Sequence, residues 1–150
     1  MGRLAIVLDT APLVASADRR DRAAGLARQL ISRGAGDMIV PDPVLAEAEW
    51  LIRSRISPAS ARSLLESVRV GDLKRVPLDG SLYDRAVEYD RTYKDLNLGL
   101  VDASVMALAE QTRGLVLTFD FRDFRATRPL RGGWWRLAID EETYRRFVPT

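Results

Sequence analysis

Short apolar runs alternate along the chain with longer stretches in which apolar residues return every three to four positions. The short runs are LAIVL (4–8), DMIVP (37–41), LKRVPL (73–78), LVLTF (115–119) and WWRLAI (134–139); their Val, Ile, Leu and aromatic content predicts β-strands. The longer stretches predict helices near 20–33, 43–55, 58–70, 81–94 and 99–113. Start signals precede several of them: Ser16 or Asp18 ahead of the first, Ser57 before Pro58, Ser81 before an acidic first turn, and Asn97 before the last. Strands alternating with helices describe an α/β domain around a mostly parallel sheet, and 150 residues suffice for one domain spanning 1–150. The helical stretch 43–70 is longer than a minimal crossover and predicts a protruding arm or a dimer surface.

Four acidic residues interrupt this pattern. Asp9 ends the first apolar run and Asp120 ends the fourth, where a buried parallel strand should stop. In GLVDASVMALAEQ, Val101, Val105, Leu108 and Ala109 form the apolar face, and Asp102 falls between Ala109 and Met106, inside the stripe. In PVLAEAEWLIRSR, Val44, Leu45, Ala48, Leu51 and Ile52 form the face, with Glu47 and Glu49 on its two flanks; periodicity does not choose between them. Each acid also has an ordinary role open to it: Asp9 and Asp120 as caps or turn formers, Asp102 at the positive end of its helix dipole, either Glu as a solvated flank, Asp123 as a turn residue. Ligands of open α/β sheets sit outside the carboxyl ends of the strands, so these acids can also converge on one crevice.

Composition narrows the chemistry. The chain has neither Cys nor His, which removes disulfides, thiolate nucleophiles, imidazole bases, Ser-His triads and the usual zinc ligands. Clustered carboxylates repel one another unless a cation sits among them, and a purely oxygen donor set selects Mg²⁺ or Mn²⁺. Such ions serve phosphoryl transfer, with nucleic acid as a candidate substrate. The net charge of +2 is no nucleic-acid footprint by itself, but the cations are 21 Arg and only two Lys, Lys74 and Lys94. Codon preference is an equally simple source of that bias. No apolar run approaches the ~20 residues of a membrane span and the N-terminus lacks a signal-peptide pattern, so a cytoplasmic location is expected.

The segments VLDTAPLVA, VPDPVLAEAEWLI, LGLVDASVMALAE and VLTFDFRDFRATRP, in this order and spacing, resemble the signature segments of PIN-domain ribonucleases, especially VapC-type toxins of toxin-antitoxin pairs. The resemblance covers nearly the whole chain. It implies a three-layer α/β/α fold, endonucleolytic RNA cleavage, a Mg²⁺ or Mn²⁺ cofactor, a homodimer and a small antitoxin partner. By position it makes Asp9, Glu47, Asp102 and Asp120 the catalytic and metal-binding acids, although a second acid often stands where Glu49 is, and Asp123 competes with Asp120. Thr10, Thr118 and Asp123 are expected in support. Thr10 and Pro12 are expected to turn the chain so that Asp9 faces the crevice.

Arg122, Arg125, Arg128 and Arg131, interleaved with Phe121, Phe124 and Trp134, are candidates for tracking RNA phosphates and stacking bases; a solvated loop with buried aromatics is the alternative. Residues 140–150 receive no role. A dehalogenase-type phosphatase would need an acid where Ala11 stands, and a receiver domain would need acids that LKRVPL does not lead into. The remaining rival is a PIN-like module that binds RNA or protein without cutting.

Overall fold

The computed structural model describes residues 3–150. Four short parallel strands, β1 (Ile6–Leu8), β2 (Met38–Pro41), β3 (Lys74–Val76) and β4 (Leu115–Leu117), form one sheet in the order β3-β2-β1-β4. Ile6 pairs with Met38 on one side and with Leu115 on the other, and Pro41 pairs with Val76. The chain therefore steps outward from β1 to β3, then returns to the far side of β1. The strand order reverses between β1 and β4, which is where an open parallel sheet leaves a crevice at its carboxyl edge.

Helices flank the sheet: α1 (Thr10–Ala17), α2 (Ala24–Arg33), α3 (Asp42–Arg55), α4 (Pro58–Arg69), α5 (Gly80–Thr92), α6 (Gly99–Thr112), α7 (Phe121–Ala126) and α8 (Glu141–Phe147). Val7, Leu8, Val40, Val116 and Leu117 are wholly buried, which explains strands that read as unbroken apolar runs. The α6 helix packs against β1, β2, β4, α3 and α5, and its residues from Ala103 to Glu110 are all buried. Among the described residues no helix is long and apolar enough to cross a membrane.

Several expectations change. The fifth predicted strand, 134–139, makes only an isolated bridge between Leu137 and Val116. Gly132 and Gly133, both at positive φ, bring the chain in late, and Asp140 caps α8 three residues after Leu137, so no ladder can extend. A helix, α1, starts directly after Asp9 where only a turn was expected; Pro12 fits in its first turn, where backbone N–H groups have no helical partner. The helix expected from 20 begins at Ala24, because Asp18 and Asp21 accept the N–H groups of Arg20 and Ala23 and hold turns. Ser16 lies inside α1.

The α5 cap is Asp79 rather than Ser81, accepting the Leu82 N–H at 2.9 Å. Asn97 sits at φ 52 at the end of a short 3-10 turn, and the Gly99 N–H goes to Asp90 instead. Ser57 does cap α4. The 43–70 stretch is no protruding arm: α3 buries Val44, Ala48 and Ile52 against the body, and α4 packs on α3.

Candidate active site

Asp9 follows the fully buried Leu8 and opens α1 as its N-cap, so one residue is both strand end and helix start. Only 5% exposed, it uses both carboxylate oxygens: Oδ1 accepts the Thr10 N–H at 2.8 Å, and Oδ2 accepts the Thr118 hydroxyl at 2.7 Å. Its own N–H donates to the Leu117 carbonyl, tying it to the end of β4. Thr118, wholly buried, also accepts the Asp120 N–H at 2.9 Å. One hydroxyl thus fixes the Asp9 carboxylate and the Asp120 backbone together. Thr10 plays a matching part on the other flank, donating its hydroxyl to Glu47 Oε2 at 2.7 Å.

Asp102 lies in the first turn of α6, a half-buried acid directly ahead of the buried run Ala103–Glu110. Burial and then the charges of Asp9, Asp123, Asp120 and Glu47 push its carboxyl up to about 7, with no cation among these influences. Burial likewise raises Asp9, opposed by its hydrogen bonds from Thr118 and Thr10 and reinforced by Asp120 and Glu47. Burial and neighbouring Asp120 raise Asp123, while Arg122 pulls it down. Acids from β1, α3, α6 and the start of α7 therefore share one electrostatic environment.

Glu47 and Glu49 part company here. Glu49 bonds Arg53 one turn along α3 at 2.5 Å, whereas Glu47 is joined to Thr10 and acts on Asp9 and Asp102. Asp120 stands at the N-cap position of α7 with no side-chain bond to the helix N–H groups; its side chain is hydrogen-bonded with Asp123 instead. Among the described residues no three acids close into a ready-made metal cage. Asp9 and Glu47 are each held by a threonine hydroxyl, Asp9 by Thr118 and Glu47 by Thr10.

The arginines expected to track RNA do not form one row. Arg125 pairs with Glu141, Arg128 stacks over the Trp134 ring with its guanidinium 3.7 Å from the centroid, and the Arg131 N–H donates to Glu110 at 2.9 Å. Arg122 is exposed beside Asp123. Phe121 and Phe124 are buried, so the alternative reading of these aromatics holds for both, while Trp134 is 71% exposed. Residues 140–150, given no role from sequence, form α8, whose Tyr144 packs on Phe119 and Phe121.

Sequence reading missed the buried Glu110, which also accepts Arg85 at 2.6 Å and Tyr89 at 3.0 Å. Burial alone would raise its carboxyl; these bonds outweigh that and hold it below its ordinary value. The Tyr89 hydroxyl takes the Leu130 N–H and Tyr93 brackets Arg128, so α5 and Glu110 together secure the segment after α7. An acid at the end of the apolar run of α6 was the available signal.

A comparison with known families matches residues 6–128 to the PIN domain. Ribonuclease VapC26 of Mycobacterium tuberculosis is 26% identical over 129 residues, covering 85% of this chain and 96% of that protein. Among solved structures, M. tuberculosis VapC20, a sarcin-ricin loop cleaving toxin, is similar with a TM-score of 0.69 at 20% identity, covering 79% of this chain and 94% of that one. Rickettsia felis VapBC2, bound to a DNA fragment from their promoter, gives 0.60 at 14% identity over 81% of this chain and 92% of that chain. FitAcB of Neisseria gonorrhoeae gives 0.54 at 20% identity over 81% and 91%. With the family match spanning the whole sheet and every acid of the crevice, this chain belongs to the PIN domain family.

Proposed function

We propose that the protein is a Mg²⁺- or Mn²⁺-dependent endoribonuclease that acts as the toxin of a toxin-antitoxin pair. The observation that carries this reading is the electrostatic convergence of Asp9, Glu47, Asp102 and Asp120 where the strand order reverses: burial first, and then the charges of Asp9, Asp123, Asp120 and Glu47, raise the Asp102 carboxyl to about 7. An all-oxygen donor set of this charge fits a hard divalent ion, and Asp9, Glu47 and Asp102 would hold it, with Asp120 beside them. Bound there, the ion would supply an activated water and charge stabilisation at a scissile phosphate.

The chain's own residues prepare that site. Thr118 and Thr10 orient Asp9 and Glu47, and the fully buried Thr118 keeps solvent from one side of Asp9. Asp102, its carboxyl raised to about 7, would hold the ion in its ionised form, so binding there would be coupled to loss of its proton. Arg122, exposed and near enough to lower Asp123, is the arginine proposed to meet phosphate oxygens. No side-chain nucleophile is required, consistent with a chain that lacks Cys and His. The similarity to Ribonuclease VapC26 supports RNA as the substrate; a small antitoxin partner and a homodimer belong to the same proposal. Trp50, 64% exposed on α3, together with exposed Leu65 and Val70 near α4, is where partner contacts are proposed.

The test is cleavage of single-stranded RNA by the pure protein in Mg²⁺, in Mn²⁺ and in EDTA. Cleavage with either metal, abolished by EDTA and by Asp9→Asn, supports the reading. Metal-independent cleavage, or RNA binding with no cleavage, favours the non-catalytic module.

A further inference from the structure

We propose that a second cleft, at the opposite end of the sheet from the acids, binds the single-stranded RNA flanking the cleaved bond, with Trp134 stacking an unpaired base. The proposal rests on the ribonuclease reading for its choice of ligand. The cleft, about 540 Å³, is lined by Arg113, Arg131, Gly132, Gly133, Trp134 and Arg136, with Leu4 just ahead of β1 at its edge. Arg113 and Gly114 immediately precede β4, so this is the amino edge of the strands, whereas Asp9 and Asp120 follow their carboxyl ends.

Three features make it a nucleic-acid surface. From Phe124 to Ile139 the chain has four arginines and no carboxylate. Among the described residues Arg113 and Arg136 make no ion pair, and Glu110, the acid in the lining, is already taken by Arg85, Tyr89 and the Arg131 N–H. Trp134 is 71% exposed, with Arg128 stacked on it 3.7 Å from the ring centroid, so one face is backed by a cation and the other is open for a base. At Gly132 and Gly133 the backbone is bare, with open space where a Cβ would stand, so a phosphate can approach it closely.

Trp134 also borders a neighbouring cleft of about 620 Å³ lined by Phe121, Phe124, Arg125 and Arg128. The acids on that wall are engaged: Glu141 by Arg125 and Arg145, Glu142 by Arg146, Asp140 as the α8 cap. α7, which starts directly after Asp120, lines this neighbouring cleft through Phe121, Phe124 and Arg125, and Trp134 is shared by both clefts, so the RNA is proposed to run from the acids through the one cleft into the other. Most of this second surface, from residue 129 on, lies beyond the segment matched to the PIN family.

The test measures binding of a fluorescein-labelled 12-nucleotide single-stranded RNA to the full chain in EDTA, apart from any cleavage. Tryptophan quenching and the salt dependence of Kd are read for the wild type, Trp134→Leu, Trp134→Phe and the Arg113→Gln/Arg136→Gln double variant. All three positions are exposed, and unchanged melting temperatures confirm folding. Trp134→Leu should lose most of the quench and weaken binding about tenfold, with Trp134→Phe restoring affinity. The arginine pair should lower the salt slope by about 1.4. Kd and slope unchanged in both variants, duplex binding as tightly as single strand, or displacement by polyglutamate of equal charge overturns the proposal. Cleavage without Trp134-dependent binding leaves the ribonuclease reading standing and refutes this one; Trp134-dependent binding without cleavage does the reverse.

Discussion

The Thr118 hydroxyl donates to the Asp9 carboxylate across 2.7 Å, joining the ends of β4 and β1 where the strand order reverses. Both residues are buried, so the bond cannot be exchanged for water at little cost. Thr118→Val should leave Asp9 Oδ2 and the Asp120 N–H without their partner, lower stability by about 1–3 kcal/mol and reduce RNA cleavage roughly 10- to 100-fold, as loss of an orienting partner does at metal sites. Thr118→Ser, which keeps the hydroxyl, should recover most of the activity. Melting curves and initial cleavage rates measured on the same preparations check both effects.

Asp102 predicts a pH dependence of the metal-free protein. Its folded carboxyl titrates near 7 against 3.8 when unperturbed, so folding is unpenalised below about pH 4 and loses stability as pH rises through 7. Because Asp102 is partly exposed, the loss is set at roughly 1–3 kcal/mol. In EDTA, Asp102→Asn should therefore melt higher than wild type at pH 8, with the gap closing by pH 4. Added Mn²⁺ should stabilise the wild type more than this variant. Differential scanning calorimetry across pH 4–8 reads the outcome.

The two α3 glutamates should separate in function as they do in space. Glu47→Gln removes a charge that Thr10 holds beside Asp9 and should cut cleavage by more than about tenfold. Glu49→Gln breaks only the surface pair with Arg53 and should leave cleavage within about twofold and stability within about 1 kcal/mol. Steady-state kinetics of the two variants side by side give the comparison.

Glu110 should behave as a structural anchor. Glu110→Ala strands the Arg85 guanidinium and frees the Leu130 to Arg131 backbone, for an expected cost of about 3–5 kcal/mol. The loss should appear in urea unfolding, and amide exchange should rise between residues 128 and 136.

Sequence alone conveyed the parallel strands because β1, β2 and β4 are buried on both faces and so leave unbroken apolar runs. Asp102 stood out for the same reason: a carboxylate inside the apolar stripe of α6 conflicts with periodicity. What stayed hidden depended on partners distant in the chain. Glu47 is set apart from Glu49 by its bond from Thr10, 37 residues away, and the Asp9 to Asp120 linkage runs through Thr118, 109 residues from Asp9. The α1 helix was missed because an apolar, proline-containing stretch after a strand carries no helical period long enough to register. WWRLAI looked like a strand because its side chains are aromatic and aliphatic, yet Trp135 is drawn instead to Tyr89, Phe124 and the Thr127 hydroxyl.

The central claim, that the acids form a single divalent-metal site, is tested most directly by calorimetric titration of Mn²⁺ into the full chain at pH 7.5. Wild type should bind with proton release, and Asp9→Asn and Asp102→Asn should each weaken binding more than about tenfold, with the double variant little worse than either. Mn²⁺ affinity unchanged by both single substitutions would contradict the account.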